Sequence, residues 1–122
     1  MKRDLDLIRR ILLEIEALPP GQSLDSIKYP EYEELTIHKH VDLLDQAGLI
    51  EAIIKKVKPT NRVVKFMITG LTWKGHDFLD LVKNDSIWNK AKEKFLKPGV
   101  SFSFEILFEW LKMKAKEKIG LS

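Results

Sequence analysis

Three histidines are the first residues to weigh as chemistry in this 122-residue sequence: His38, His40 and His76. Imidazole is the side chain best suited to proton transfer near neutrality and to holding a divalent metal. The spacing argues against both uses. His38 and His40 lie two apart, which on a helix turns them to different sides rather than onto one ion. His76 stands far along the chain beside Asp77 and Asp80, two carboxylates one helical turn apart that serve equally well as a solvated face. A metal centre would need three ligands arriving from separate elements. There is no cysteine, which removes thiolate metal sites, disulfides and cysteine nucleophiles. Neither a Gly-rich phosphate loop nor a nucleophile elbow is present. The expectation is a protein that is not an enzyme and uses no metal or cofactor.

Binding is the better prospect. Lys55, Lys56, Lys58, Arg62 and Lys65 place five positive charges within eleven positions, with no acid among them. Such a cluster suits phosphate contact, and it equally suits an exposed hairpin protected from edge-to-edge aggregation. The net charge of +3 is too small to decide between them. Residues 28–46 lean the other way, with Lys28 and Lys39 set against Glu31, Glu33, Glu34, Asp42 and Asp45.

The elements that must position these groups are legible from periodicity. Ile37, Val41 and Leu44 line one face of an amphipathic helix running from Leu35 to Ala47 and closed by Gly48. Ile50–Val57 and Val63–Thr69 are rich in β-branched residues and read as two strands, with Lys58-Pro59-Thr60-Asn61-Arg62 as the turn between them. Before them, Leu5, Ile8, Ile11, Leu12, Ile15 and Leu18 predict a first helix over Asp4–Leu18, opened by Asp4 or Asp6 and stopped at Pro19-Pro20-Gly21. Between the first helix and the one at Leu35, Ser23–Ile27 supports at most a short helix, because Tyr29-Pro30 opposes its continuation. Ile27-Lys28-Tyr29 is the alternative, as a short strand beside the hairpin.

Helix, glycine, strand, basic turn, strand is the layout of a winged helix-turn-helix. IHKHVDLLDQAGLI, residues 37–50, resembles the recognition-helix stretch of small bacterial winged-helix regulators. ITGLTWKGHDFL, residues 68–79, resembles the passage where their second wing strand turns into the next helix. With MKRDLDLIRRILLEIE and IWNKAKEKF, the chain is similar to a family of small uncharacterised proteins common in phages and prophages. That resemblance implies fold and genomic context more than function. It places Thr36, His38, Lys39 and Asp42 outward on the recognition helix, the first three as approaches to the major groove.

Downstream, Thr72 is the expected N-cap of a helix in which Trp73, Phe78, Leu79 and Val82 pack against the first helix. Gly75 inside it implies close backbone approach. Asp85-Ser86 caps a further helix from Ile87 to Lys97, with Ile87, Ala91 and Phe95 on one side and Trp88 nearby. Ser101 or Ser103 caps a last one ending at Gly120. The last helix carries two apolar stripes, more than a small domain needs, so Phe104, Leu107, Phe108, Trp110 and Leu111 form a candidate homodimer interface. The helical spacing of the aromatic residues favours packing over a base-stacking platform.

The expected fold is mainly α with a small antiparallel β-hairpin. It is a winged helix-turn-helix core over residues 1–84, with a C-terminal helical extension over 85–122 packed on it as one domain. No apolar run is long enough to span a bilayer and no signal peptide opens the chain, so the expectation is a cytoplasmic protein without membrane contact. The leading function is a small DNA-binding regulatory protein touching double-stranded DNA through Thr36, His38, Lys39, Lys55, Lys56, Lys58, Arg62 and Lys65. The alternative is a protein–protein interaction module of the same shape that binds no nucleic acid.

Overall fold

A computed structural model describes residues 2–120 as five helices and a two-stranded antiparallel hairpin: α1 (Leu5–Glu16), α2 (Glu34–Gln46), β1 (Ile50–Val57), β2 (Arg62–Leu71), α3 (Trp73–Val82), α4 (Asp85–Phe95) and α5 (Phe104–Lys118). The chain divides into two units between His76 and Asp77, within α3; the sequence reading drew its line after residue 84. No helix among the described residues is long and apolar enough to cross a membrane.

In the first unit α1 starts where Asp4 accepts the amide of Leu7 at 3.0 Å, satisfying one of the helix's orphan donors. Six apolar residues of α1 are buried, from Leu5 to Ile15. Each contributes about 1.5–3 kcal/mol by leaving water. They pack on α2 and on β2, and α2 packs in turn on both strands.

The close of α2 is as the sequence predicts. Gly48 takes φ +75°, and the Gly48 and Leu49 amides reach back to the Asp45 and Leu44 carbonyls at 3.0 Å each. This is a Schellman closure, which needs a left-handed residue at Gly48. It turns Leu49 into the core and delivers Ile50 to the start of β1.

The expected short helix over Ser23–Ile27 is not there. Leu24 instead exchanges two backbone hydrogen bonds with Ile68, at 2.8 and 2.9 Å, which holds it extended beside β2. The strand contact therefore falls on Leu24 and not on Ile27-Lys28-Tyr29. Residues 25–33 cross α1 as a strap, bound by side chains where a helix was expected. The Tyr29 hydroxyl donates to Glu14, Arg10 donates to Glu31 at 2.6 Å, and the Tyr32 hydroxyl donates to Asp4 at 3.0 Å. The Arg10 guanidinium also lies 3.7 Å above the Tyr29 ring, a cation–π contact.

At the root of the hairpin Thr72 caps α3, its hydroxyl accepting the Gly75 amide at 3.0 Å while donating to the Gly48 carbonyl at 2.5 Å. Gly75 is where the backbones touch: a Cβ there would stand 1.9 Å from the Leu49 carbonyl oxygen. The close approach expected at Gly75 is confirmed. Trp73 departs from expectation, with 86% of its surface exposed. It sits on the side of α3 opposite the buried set Gly75, Phe78, Leu79 and Val82, so helical periodicity excludes it from that face.

In the second unit α4 is capped by Asn84, which accepts the Ile87 amide at 2.9 Å, one residue before the expected cap. Ser103 caps α5, accepting from Ile106 at 3.1 Å. α4 and α5 pack together. Phe78 meets Phe104 and Phe108, and Phe95 meets Phe102 and Trp110, with ring centroids 5.1–5.6 Å apart. Leu107, Phe108 and Leu111, three of the five residues expected to join a second subunit, are buried inside the chain's own fold. The open apolar positions of α5 are Ile106 and Met113.

Candidate nucleic-acid interface

The hairpin sorts the five clustered cations by the pleat. β1 pairs with β2 from Ile50↔Leu71 to Val57↔Arg62, with register shifts after Glu51 and after Lys55 that leave β2 two residues the longer. Alternation puts Ile54, Lys56, Val63 and Phe66 on the face toward α2, and Ile53, Lys55, Lys65 and Met67 on the face toward solvent. Lys55 and Lys65 are directly opposed across the ladder. Like charges in that position cost stability, and neither lysine has an ion-pair partner among the described residues. Arg62, paired with Val57 at the tip end, also has none. Lys58 donates to Asn61 at 2.7 Å across the turn, where Asn61 adopts φ +56°.

Lys56 faces the other way. Its ammonium lies 2.9 Å from Oδ1 of Asp42, whose other oxygen accepts from Gln46 at 3.0 Å. Asp42 is buried, its residue surface only 3% exposed, where the resemblance placed it outward. Oδ1 has no aligned donor, so the contact with Lys56 is an ion pair rather than a directed hydrogen bond. The cause is the hairpin itself, which folds over the flank of α2 that carries residues 38 and 42.

His38 is covered by the same fold. Its Nδ1 lies 3.3 Å from the Val63 carbonyl, its Nε2 3.6 Å from Glu34, and its ring meets Phe66 edge-on at 5.5 Å. Of the three groove-facing residues expected on α2, only Lys39 is fully exposed; Thr36 is half-buried.

His40 sits on the opposite flank and is fully buried. The Asp4 amide can only donate, so Nε2 accepts it, at 2.9 Å. The Thr36 carbonyl can only accept, so Nδ1 carries the proton, at 2.8 Å. Both nitrogens are used, and the imidazole is the neutral Nδ1–H tautomer that ties α2 to the start of α1. No three His, Asp or Glu side chains converge on a common point among the described residues.

The strap encloses a second feature that residue types alone did not reveal. A cleft of about 430 Å³ lies between residues 25–32, the first half of α2 and residues 64–66 of β2. Ile27, Ile37 and Phe66 supply buried apolar lining, and Asp25, Lys28, Glu34 and Lys65 supply charge. Near it, burial first and the hydrogen bond to Glu14 second push the Tyr29 phenol well above its ordinary range. Glu31 is held below the usual carboxylate range by its own backbone amide and by Arg10.

Comparison with known proteins gives a family and no activity. Residues 2–101 match the family model described as "Hypothetical protein (DUF2513)". A protein of Haemophilus influenzae named "Uncharacterized protein" is 34% identical over 109 residues, spanning 88% of this chain and 89% of its own. No solved structure matches.

Proposed function

Because the chain belongs to the DUF2513 family, whose description carries no activity, we propose a function from the interface itself. It is a non-catalytic, winged-helix, DNA-binding regulatory protein of phage or prophage type, acting in the cytoplasm, that grips double-stranded DNA by the outer face of its hairpin. One observation carries this reading: Lys55, Lys65 and Arg62 stand on or beside one solvent-facing surface with no anion among the described residues to neutralise them. Phosphate neutralisation by such a row releases counterions and is largely independent of sequence. Lys39 and Thr36 remain the base-reading candidates of α2. His38, Asp42 and Lys56 are withdrawn from contact by one another and by the strand they touch. In a dimer the exposed α5 contacts would be Ile106 and Met113, flanking a half-exposed Trp110.

Anisotropy of a labelled random-sequence duplex, titrated over a range of salt, tests the proposal. The slope of log affinity against log salt, divided by about 0.9, counts the phosphates neutralised. About three are expected, falling toward one in the Arg62→Glu, Lys65→Glu double variant. Absence of binding at low salt would end the DNA reading.

A specific observation favours the rival, an interaction module that binds no nucleic acid. Ile53 and Met67 face each other across the hairpin, and Ile53 is 68% exposed, leaving an apolar pair in water beside the lysines. An exposed apolar patch rimmed by charge is characteristic of protein contacts.

A further inference from the structure

We propose that the free edge of β2 is a docking site for an extended segment of a partner protein in which acidic and apolar residues alternate. The inference goes beyond the DNA reading and stands on different atoms. Ile68 turns both its amide and its carbonyl away from β1 to reach Leu24. No register shift separates Ile68 from Phe66, so the two-residue period aims the Phe66 amide and carbonyl at that same edge. The strap pairs with β2 only at Leu24 and then diverges, so no strand covers Phe66, and its backbone groups open on the cleft. An added strand would supply the missing ladder bonds, the usual source of affinity in β-augmentation. The cleft's size falls in the range that small ligands and short segments fill.

The two faces of the site fix the chemistry of the occupant. A residue opposite Phe66 points inward, over Ile27 and Ile37, with Asp25 and Glu34 on the far bank; it must be apolar, since an acid there would meet carboxylates. Its neighbour opposite Lys65 points outward, to the Lys55–Lys65 pair that lacks a counter-charge; an acid there relieves the repulsion across the ladder. Acid outward and apolar inward, in alternation, is the pattern the edge selects.

The test is titration of an acetylated hexapeptide of alternating glutamate and valine into isotope-labelled protein, followed by amide shifts and amide exchange. Saturable shifts centred on residues 25–27 and 64–66, with the Phe66 amide becoming protected, are expected. A lysine–valine hexapeptide should bind about fivefold or more weakly, and Lys65→Glu should invert that order, an outcome that loss of folding cannot imitate. No saturable shift at millimolar peptide would overturn the proposal, as would equal affinity for both peptides. Shifts of the same amides by a short duplex but not by peptide would also overturn it, making the edge a nucleic-acid surface.

Discussion

Asp42 and Lys56 meet at 2.9 Å beneath the hairpin, joining the helix expected to read DNA to the strand expected to grip it. The pairing takes both residues out of the interface and makes them part of what holds the hairpin onto α2. Asp42 is the buried partner and Lys56 about one-third exposed, so solvent screens the lysine's share of the attraction.

Replacing Asp42 with alanine should therefore cost about 1–3 kcal/mol, because it strands the Lys56 ammonium and the Gln46 amide. Urea unfolding of Asp42→Ala and of the Asp42→Ala, Lys56→Met double variant reads this directly. The double variant should recover part of the loss, and Lys56→Met alone should leave duplex affinity within about twofold. A large loss of affinity in Lys56→Met would return that lysine to the interface.

The opposed lysines set stability against binding. Lys55→Glu converts a like-charge cross-strand pair into an opposite-charge one and should raise stability by about 0.2–1 kcal/mol while weakening duplex affinity. Melting and anisotropy on the same preparation check the trade. Stability and affinity moving in the same direction would argue that Lys55 acts through folding.

Gly75→Ala should be severe even though alanine is the better helix former. The new Cβ would lie 1.9 Å from the Leu49 oxygen and 2.9 Å from its carbon, and both are backbone atoms. A loss of about 3 kcal/mol or more is expected, against the gain of about 1 kcal/mol that propensity alone would give. A thermal melt equal to the parent's would contradict the contact.

Tyr29 makes the first unit sensitive to alkali. Its phenol is raised from an ordinary value of 10.0 in the folded chain, by burial first and by Glu14 second. Above that value the unfolded chain gives up a proton that the folded chain keeps. The unfolded state then binds fewer protons, and stability falls as pH rises, whereas below it Tyr29 adds no slope. Tyr32 is shifted the same way, by burial and then by Asp4. With only two tyrosines in the chain, Tyr29→Phe should make the alkaline slope of unfolding free energy visibly shallower. An unchanged slope would remove Tyr29 from the account.

The elements were legible because each rests on local signals: the apolar spacing of α1 and α2, the left-handed Gly48, the β-branched runs, and Thr72 with Gly75. What sequence left hidden came from contacts between distant positions. Nothing local says that Asp42 faces Lys56, that His38 lies under Phe66, or that Leu24 pairs with Ile68. The strap shows this best. Tyr29-Pro30 correctly opposed a helix, but its replacement depends on Arg10, Glu14 and Asp4, which only the fold brings near. The cation cluster was visible as a cluster; the pleat decided which of its members reach solvent.

The hydroxyl of Thr72 has a consequence for motion. By bonding Gly48 on one side and Gly75 on the other, and with its own amide held by Leu49 at 3.1 Å, Thr72 rivets three chain segments at the hairpin's root. Nothing comparable restrains Pro59 and Thr60 at the far end. The hairpin is thus a reed clamped at its base: its swing grows toward Arg62, and amide exchange should quicken along the same gradient.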